Sequence, residues 1–454
     1  MHGTSWVVRP LSLARAGALA VACVLIALPV AAQPPATTAP TAPTPSTLTP
    51  TDQMQDPTWS GTVPGIQLPG VLLPPRVGPD LLYTPAAEGP LTVTPSLAIT
   101  EEFNDNLFQN NANKHSDFIT QFTPGLTLQM QHPGFRLTAG YNFTAEIYAQ
   151  HSELDNAANR QNLVASVSYE VSPRVTLSLT EALYYSRDSN AASTSGVSSG
   201  RQGAWGNVFA PALSVQATPR MTWRLFGAYT LERYSGPASQ DSNVYRVGTG
   251  LDYAVTPRLS ATAGYDFGYL DVDREPTTLD HALRVGGTYR ITPTLTATVT
   301  AGPSILMTDR DTTVTQAVSA RLAQEMSWGA VSVFYDRGVG TTGGFGGPSD
   351  NQTFGGIIAL PTLLRGLTIA FSPRYSMSST ESVARAQSNI KTLTLNLSAR
   401  YQVARYIAIV GSYTFLQQRG SGNATLANGN TPATDIDQNQ INVGLQFGYP
   451  INFN

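Results

Sequence analysis

Four histidines follow the N-terminal segment, His115, His132, His151 and His281, and these are the first candidates for a metal ligand or a general base. None shares ligand spacing with another, and each adjoins a turn, a loop or a strand end, where a solvated imidazole is the ordinary outcome. His151 with Glu153 and Asp155 comes nearest to the histidine and clustered acids that a hydrolase at a barrel rim needs. Loop acids beside a histidine also arise by chance. Asp271-Val272-Asp273 and Asp435-Ile436-Asp437 offer carboxylates to calcium but lack the full spacing of a calcium loop. No phosphate loop, cofactor box or pair of catalytic carboxylates stands out, so the sequence reads as a non-enzyme with no cofactor and no metal.

The charged residues carry more. Arg136, Arg224, Arg246, Arg284, Arg290, Arg321, Arg374 and Arg400, with Glu146, Glu170, Asp252 and Asp266, fall in segments where apolar and polar residues alternate, always on the polar side. Glu232 and Asp336 join them. A guanidinium presents a rigid fork to carboxylates and sulfates, so a wall lined this way suits an acidic sugar polymer. The other reading is that arginines and acids pair across strands and stiffen that wall.

These residues are positioned by segments of period two, which are strands with unlike faces. In Phe135 to Tyr148, Phe135, Leu137, Ala139, Tyr141, Phe143, Ala145 and Ile147 share one face, and Arg136, Thr138, Gly140, Asn142, Thr144 and Glu146 the other. The same split recurs from Leu295 to Ala301 and from Leu393 to Tyr401. Short connections at His132-Pro133-Gly134, Ser172-Pro173-Arg174, Thr218-Pro219-Arg220, Thr256-Pro257-Arg258, Thr292-Pro293-Thr294, Ser327-Trp328-Gly329, Pro361 to Gly366 and Ala404-Arg405 alternate with longer polar ones. Eight short turns and nine long loops predict eighteen strands between Leu91 and Tyr449, with sixteen as the alternative because 327–340 and 354–364 are weakly periodic.

An open sheet of that size leaves unpaired edges and an uncovered apolar face, and the sequence offers no helices to cover them. Closure into a transmembrane antiparallel up-and-down β-barrel pairs every backbone group and turns the apolar face to lipid. A soluble all-β protein is the competing reading. Aromatic residues cluster in two sets, as the two membrane interfaces require. Tyr169, Trp223, Tyr253, Tyr289, Trp328, Tyr401 and Tyr406 lie beside short turns; Tyr148, Tyr185, Tyr229, Tyr269, Tyr335 and Phe415 lie towards the long loops.

Composition agrees. Among 454 residues, 27 Lys and Arg against 30 Asp and Glu leave a net charge of -3, with 13% charged and 41% hydrophobic residues. That excludes the basic footprint of a nucleic-acid binder and is too apolar for bulk disorder. Residues 1–32 read as a signal peptide, with Arg9 and Arg15, an apolar run from Ala16 to Leu28 and Val30-Ala31-Ala32 before Gln33. Cys23, the one cysteine, lies inside that run in a poor lipoprotein box, so disulfides and thiolate sites are not expected. Residues 33–90 are rich in Pro and Thr and are predicted to be a disordered periplasmic linker or a plug that enters the pore. Residues 91–454 form the barrel.

Two stretches carry a family resemblance. Asn442-Val443-Gly444-Leu445-Gln446-Phe447-Gly448-Tyr449 looks like the final-strand signal read by the outer-membrane barrel insertion machinery, with Asn442, Gly444, Phe447 and Tyr449 at its key positions. It departs from that pattern because Pro450 to Asn454 follow and the last residue is not aromatic. Glu101 to Phe108, then Ser116-Asp117-Phe118 and Thr123-Pro124-Gly125-Leu126, resembles an outer-membrane β-barrel porin family often associated with exopolysaccharide production. The resemblance covers Leu91 to about Ser186. It implies a place in the cell outer membrane among lipid and lipopolysaccharide, dealings with the insertion machinery and with polysaccharide export components, and passage of a polymer or of small solutes. A closed barrel anchoring a periplasmic secretion assembly through 33–90 is the alternative.

Overall fold

The computed structural model describes residues 62–63, 66–67, 89–191, 193–236, 239–309, 311–380, 388–421 and 435–453. The expected signal peptide lies outside these residues, as does all but a few residues of the Pro/Thr-rich segment. Among the described residues that segment contributes β1 (Thr62–Val63) paired with β2 (Ile66–Gln67). The strands that follow are β3 (Leu91–Asn104), β4 (Asp117–His132), β5 (Phe135–Tyr148), β6 (Asn156–Ser172), β7 (Val175–Asp188) and β8 (Arg201–Thr218). They continue with β9 (Met221–Tyr234), β10 (Ser242–Ala254), β11 (Leu259–Val272), β12 (Thr278–Arg290), β13 (Leu295–Met307) and β14 (Thr312–Met326). The last are β15 (Gly329–Gly340), β16 (Ser349–Leu364), β17 (Leu367–Thr380), β18 (Ser388–Ala404), β19 (Ile407–Ser421), β20 (Ile436–Gly448) and the short β21 (Ile451–Phe453).

From β3 to β20 each strand pairs antiparallel with the next, and β20 returns to β3, so these strands close as an eighteen-stranded barrel. The weakly periodic 327–340 and 354–364 are both wall strands, which removes the sixteen-stranded alternative. The strands run from 12 to 18 residues, longer than the roughly 10 needed to cross a bilayer, because several continue into what the sequence suggested were loops. The turn expected near Pro361 is tighter than it looked. Residues 361–364 remain in β16 at a register shift, and Arg365-Gly366 makes the turn, with Gly366 at φ 81°. A proline inside a strand is tolerated at such an irregularity.

Burial is inverted relative to a soluble protein. Thr92, Thr94, Thr100, Gln121, Thr123, Thr394, Thr414 and Gln446 are all buried on the inner rows. Leu97, Ile99, Phe122, Leu126, Leu177, Leu251, Val299, Leu397 and Val443 are exposed on the outer rows. Water does not sustain so continuous an apolar outer wall, whereas acyl chains do. The soluble reading therefore fails, and the chain is a transmembrane β-barrel of the outer-membrane type.

The outer aromatics form rows rather than isolated anchors. Tyr185 lies against Trp205 with centroids 4.7 Å apart, Tyr229 stacks on Tyr245 at 4.9 Å, and Tyr335 lies against Phe354 at 4.5 Å. Tyr148 corrects the expected girdle. It shares the inner row of β5 with Glu146, is buried, and donates its hydroxyl to Glu146 at 2.5 Å.

The seam between β20 and β3 depends on Gly444. Opposite Thr100, it leaves no room for a side chain, since a Cβ there would stand 2.1 Å from the Ile99 carbonyl oxygen and 2.6 Å from Thr100 Cα. Beyond Gly448 the chain does not leave the wall. Ile451, Asn452 and Phe453 lie opposite Val93, Thr92 and Leu91, and Thr92 Oγ1 donates to Asn452 Oδ1 at 2.8 Å. Asn442 and Gly444 face inward, while Phe447 follows the outward row of Val443 and Leu445 towards Tyr449, which is exposed.

Candidate functional site: a strapped lumen

Two loops on the long-loop side are buried inside the barrel. In 189–200, between β7 and β8, Ser189, Ser193, Val197 and Ser198 have no exposed surface. In 341–348, between β15 and β16, Thr341 and Thr342 are buried. Polar loops stay inside only when their backbone groups find partners, and here the wall supplies them. Thr194 donates its N–H and its hydroxyl to Glu232 Oε1 on β9, at 2.8 and 2.9 Å. Its carbonyl accepts from the Arg374 guanidinium on β17 at 2.8 Å. On β19, the Gln418 amide clamps Ser198, accepting from its N–H and donating to its carbonyl, both at 2.8 Å. Since β9 and β17 stand eight strand positions apart in a ring of eighteen, segment 189–200 crosses the lumen as a strap.

Glu232 also holds the second loop, accepting from Thr341 Oγ1 at 3.1 Å. A third contact comes from the β3–β4 loop, where buried Gln109 takes the Ser198 hydroxyl and donates to Gln438 Oε1 at 3.2 Å. In the β9–β10 loop, outside the membrane span, burial holds Asp241 above the usual carboxylate range. The Tyr234 N–H at 2.9 Å and Arg233 oppose that shift.

Inward-facing charges form two territories. On β5 to β8 with β3, Arg160 meets Glu146 at 2.8 Å, Glu102 at 3.2 Å and Asp188 at 3.6 Å, and Arg201 meets Asp188 at 3.6 Å. That side holds three carboxylates to two guanidiniums. On β10 to β17, Arg246 pairs with Asp280 at 3.1 Å and Arg284 with Asp266 at 2.7 Å, while Asp336 lies within electrostatic reach of Arg284, Arg321 and Arg374. That side holds four guanidiniums to three carboxylates. A cavity of about 60 Å³ opens there, bordered by Arg246, Arg284, Asp336, Thr194, Thr341 and Asn351.

The remaining candidates stand apart. Arg224 clasps Asp252 through Nε at 2.7 Å and a terminal nitrogen at 2.8 Å, and Arg400 reaches Gln446. Arg136, Glu170 and Arg290 lie exposed at the short-turn ends of their strands, away from both territories. Sequence reasoning overlooked Arg160, Glu102, Asp188, Asp280 and Gln418. Leu163 lies opposite outward Tyr141 and Arg160 opposite inward Thr144, so the period of two along β6 carries that signal. No sequence signal marked Gln418, whose partner lies 220 residues away.

The histidines gather more than their spacing suggested. The His115 and His151 rings meet edge to face at 5.7 Å beside Phe108, and His151 Nδ1 lies 2.8 Å from buried Asp117. Asp117 also accepts the N–H groups of Gln150 and His151, at 3.0 and 3.1 Å, so this constellation ties the β5–β6 loop to β4. Among the described residues no group of three or more His, Cys, Asp or Glu is arranged to hold a metal.

No family model and no curated protein matches the chain. Among solved structures it is similar to OccAB3 of Acinetobacter baumannii, at 9% identity and a TM-score of 0.40 over 80% of this chain and 99% of that one. It is likewise similar to OpdL of Pseudomonas aeruginosa, at 12% and 0.41 over 80% and 99%. The siderophore receptor PirA of the same organism gives 10% and 0.39 over 81% of each chain. At this level nothing about solute or activity passes from them to this chain.

Proposed function

We propose that the protein is a porin-like conduit of the Gram-negative outer membrane, passing small polar solutes by diffusion. The observation that carries this reading is the polar, charge-lined lumen narrowed by the strap at 189–200. Inner rows of threonine, asparagine and glutamine offer hydrogen bonds along the wall to a polar solute that passes beside the strap. Sieving falls to the strap, and weak contacts with wall hydroxyls and amides let a solute leave as readily as it enters. A crossing held from both sides suits small solutes better than a polymer chain, so the exopolysaccharide passenger implied by the sequence resemblance is the less favoured cargo.

Most wall arginines are engaged by acids, so charge steering comes from the small imbalance of each territory and not from free guanidiniums. The test is single-channel conductance in a planar bilayer, comparing the full chain with one lacking Gln33 to Pro79. Steady open steps from the full chain support the conduit, and current only after truncation assigns the Pro/Thr-rich segment as a plug. Silence from both refutes the conduit.

A further inference from the structure

The wall parts at one place. Below it β14 and β15 are paired up to Val318 opposite Arg337; above it Thr312 to Ala317 pair with β13 alone, and no β15 residue lies opposite them. The upper part of β15 has turned inward. Val333 lies on the outer row and is half exposed, but Val339, six residues on in the same row, is 4% exposed. It packs with Val244, Leu270 and Leu306, which lie on inner rows of β10, β11 and β13. One row of a single strand thus faces lipid at one end and the inner wall of the barrel at the other.

The inward position is held along the strand and at the loop, where the Gln240 N–H donates to the Gly344 carbonyl at 2.9 Å and the Thr342 and Thr380 hydroxyls meet at 3.1 Å. Arg246 donates to the Val339 carbonyl, a group on the unpaired edge of β15. Arg337 clasps Asp350 through a terminal nitrogen at 2.6 Å, and Thr315 donates to Asp350 at 3.3 Å. At the tip, Thr341 donates to Glu232. Meanwhile the upper edge of β14 is left open, with Val314 67% exposed. Two strand edges with unmade ladder bonds therefore stand beside each other, and continuing the existing register would set Gln316 opposite Val339 and Val314 opposite Thr341.

We propose that this seam is a gate. In the closed position the upper part of β15 and the 341–348 loop lie in the lumen; in the open position β15 zips onto β14 in the continued register and clears the channel beside the strap. The move exchanges the Val339 packing, the Arg246 bond and the loop's bonds to Glu232, Gln240 and Thr380 for ladder bonds along the β14 edge, and because a ladder forms only in register it has two discrete positions rather than a continuum. An anionic solute that occupies Arg246 removes one of the inward contacts and biases the seam towards opening. This gate rests on the conduit reading.

The test uses two cysteine pairs in the full chain in a Cys23→Ser background. Val244→Cys with Val339→Cys captures the inward position, and Gln316→Cys with Val339→Cys the zipped one. Cross-link formation under oxidation is read by mass spectrometry after proteolysis, and unit conductance is read before and after reduction. Both cross-links are expected, with a larger conductance for the zipped lock than for the inward lock and the difference abolished by reductant. Formation of the inward cross-link alone overturns the gate, as do two locks of equal conductance. If both cross-links form but no variant carries current, the conduit reading fails while the two positions of the seam stand. Retention of heat-modifiable gel mobility shows that each variant has closed its barrel.

Discussion

Replacing Gly444 with alanine puts a methyl group into the seam that closes the barrel. The new Cβ stands 2.1 Å from the Ile99 carbonyl oxygen and 2.6 Å from Thr100 Cα. Both are backbone atoms, so no flexible side chain can move aside, and β20 and β3 must separate by about 1 Å to reach ordinary contact. Overpacking of this kind costs about 1–3 kcal/mol, and the rigid partner places Gly444→Ala at the upper end. Gly411 offers the control. It lies opposite Val443, the residue before Gly444, and a Cβ there meets nothing closer than the Asn442 carbonyl oxygen at 3.5 Å. Gly411→Ala should be neutral, or more stable by about 0.5 kcal/mol through lost freedom of the unfolded chain. The assay is urea unfolding of the detergent-refolded barrel, followed by heat-modifiable mobility and tyrosine fluorescence, with the slope checked so that midpoints compare as stabilities. Equal midpoints for the two variants would refute the argument that close strand approach, rather than glycine as such, is what the seam requires.

Three further outcomes follow from the lumen. Glu232→Ala removes the acceptor shared by Thr194 and Thr341 and should raise unit conductance and gating noise; an unchanged single-channel record would show that the strap does not depend on it. Arg160→Ala leaves Glu102, Glu146 and Asp188 buried without their shared cation and should lower stability by about 3–5 kcal/mol, read as a shift in urea midpoint. Arg246→Ala with Arg284→Ala leaves Asp280 and Asp266 unpaired and should move the reversal potential in a salt gradient towards cation preference; no movement would place both pairs off the ion path.

Much of the fold was legible because the alternation of a strand is local. Phe135 to Tyr148 declares its two faces without knowing its neighbours, and a short turn at every second connection, with proline or glycine in all but Ala404-Arg405, declares the hairpins. The same rule, applied without exception, puts Tyr148 in the row of Glu146 and so inside; its nearness to a long loop misled the girdle assignment. Parity also reaches as far as saying which charges face inward. It does not say which of them meet, because Arg160 finds acids on β3, β5 and β7, and the meeting depends on barrel curvature and strand stagger.

By itself, then, the chain determined an all-β barrel with a polar interior and an apolar exterior, since period two and the demand that every backbone group be paired in lipid leave one closed solution. Tertiary structure alone decided what the interior does. A segment rich in serine and glycine between β7 and β8 reads as a solvated outer loop, and it becomes a strap because Glu232, Arg374 and Gln418, remote in sequence, converge to satisfy its backbone. In the same way, only the folded register shows β15 leaving β14 after Val318, because an unpaired edge is a property of two strands and not of either sequence.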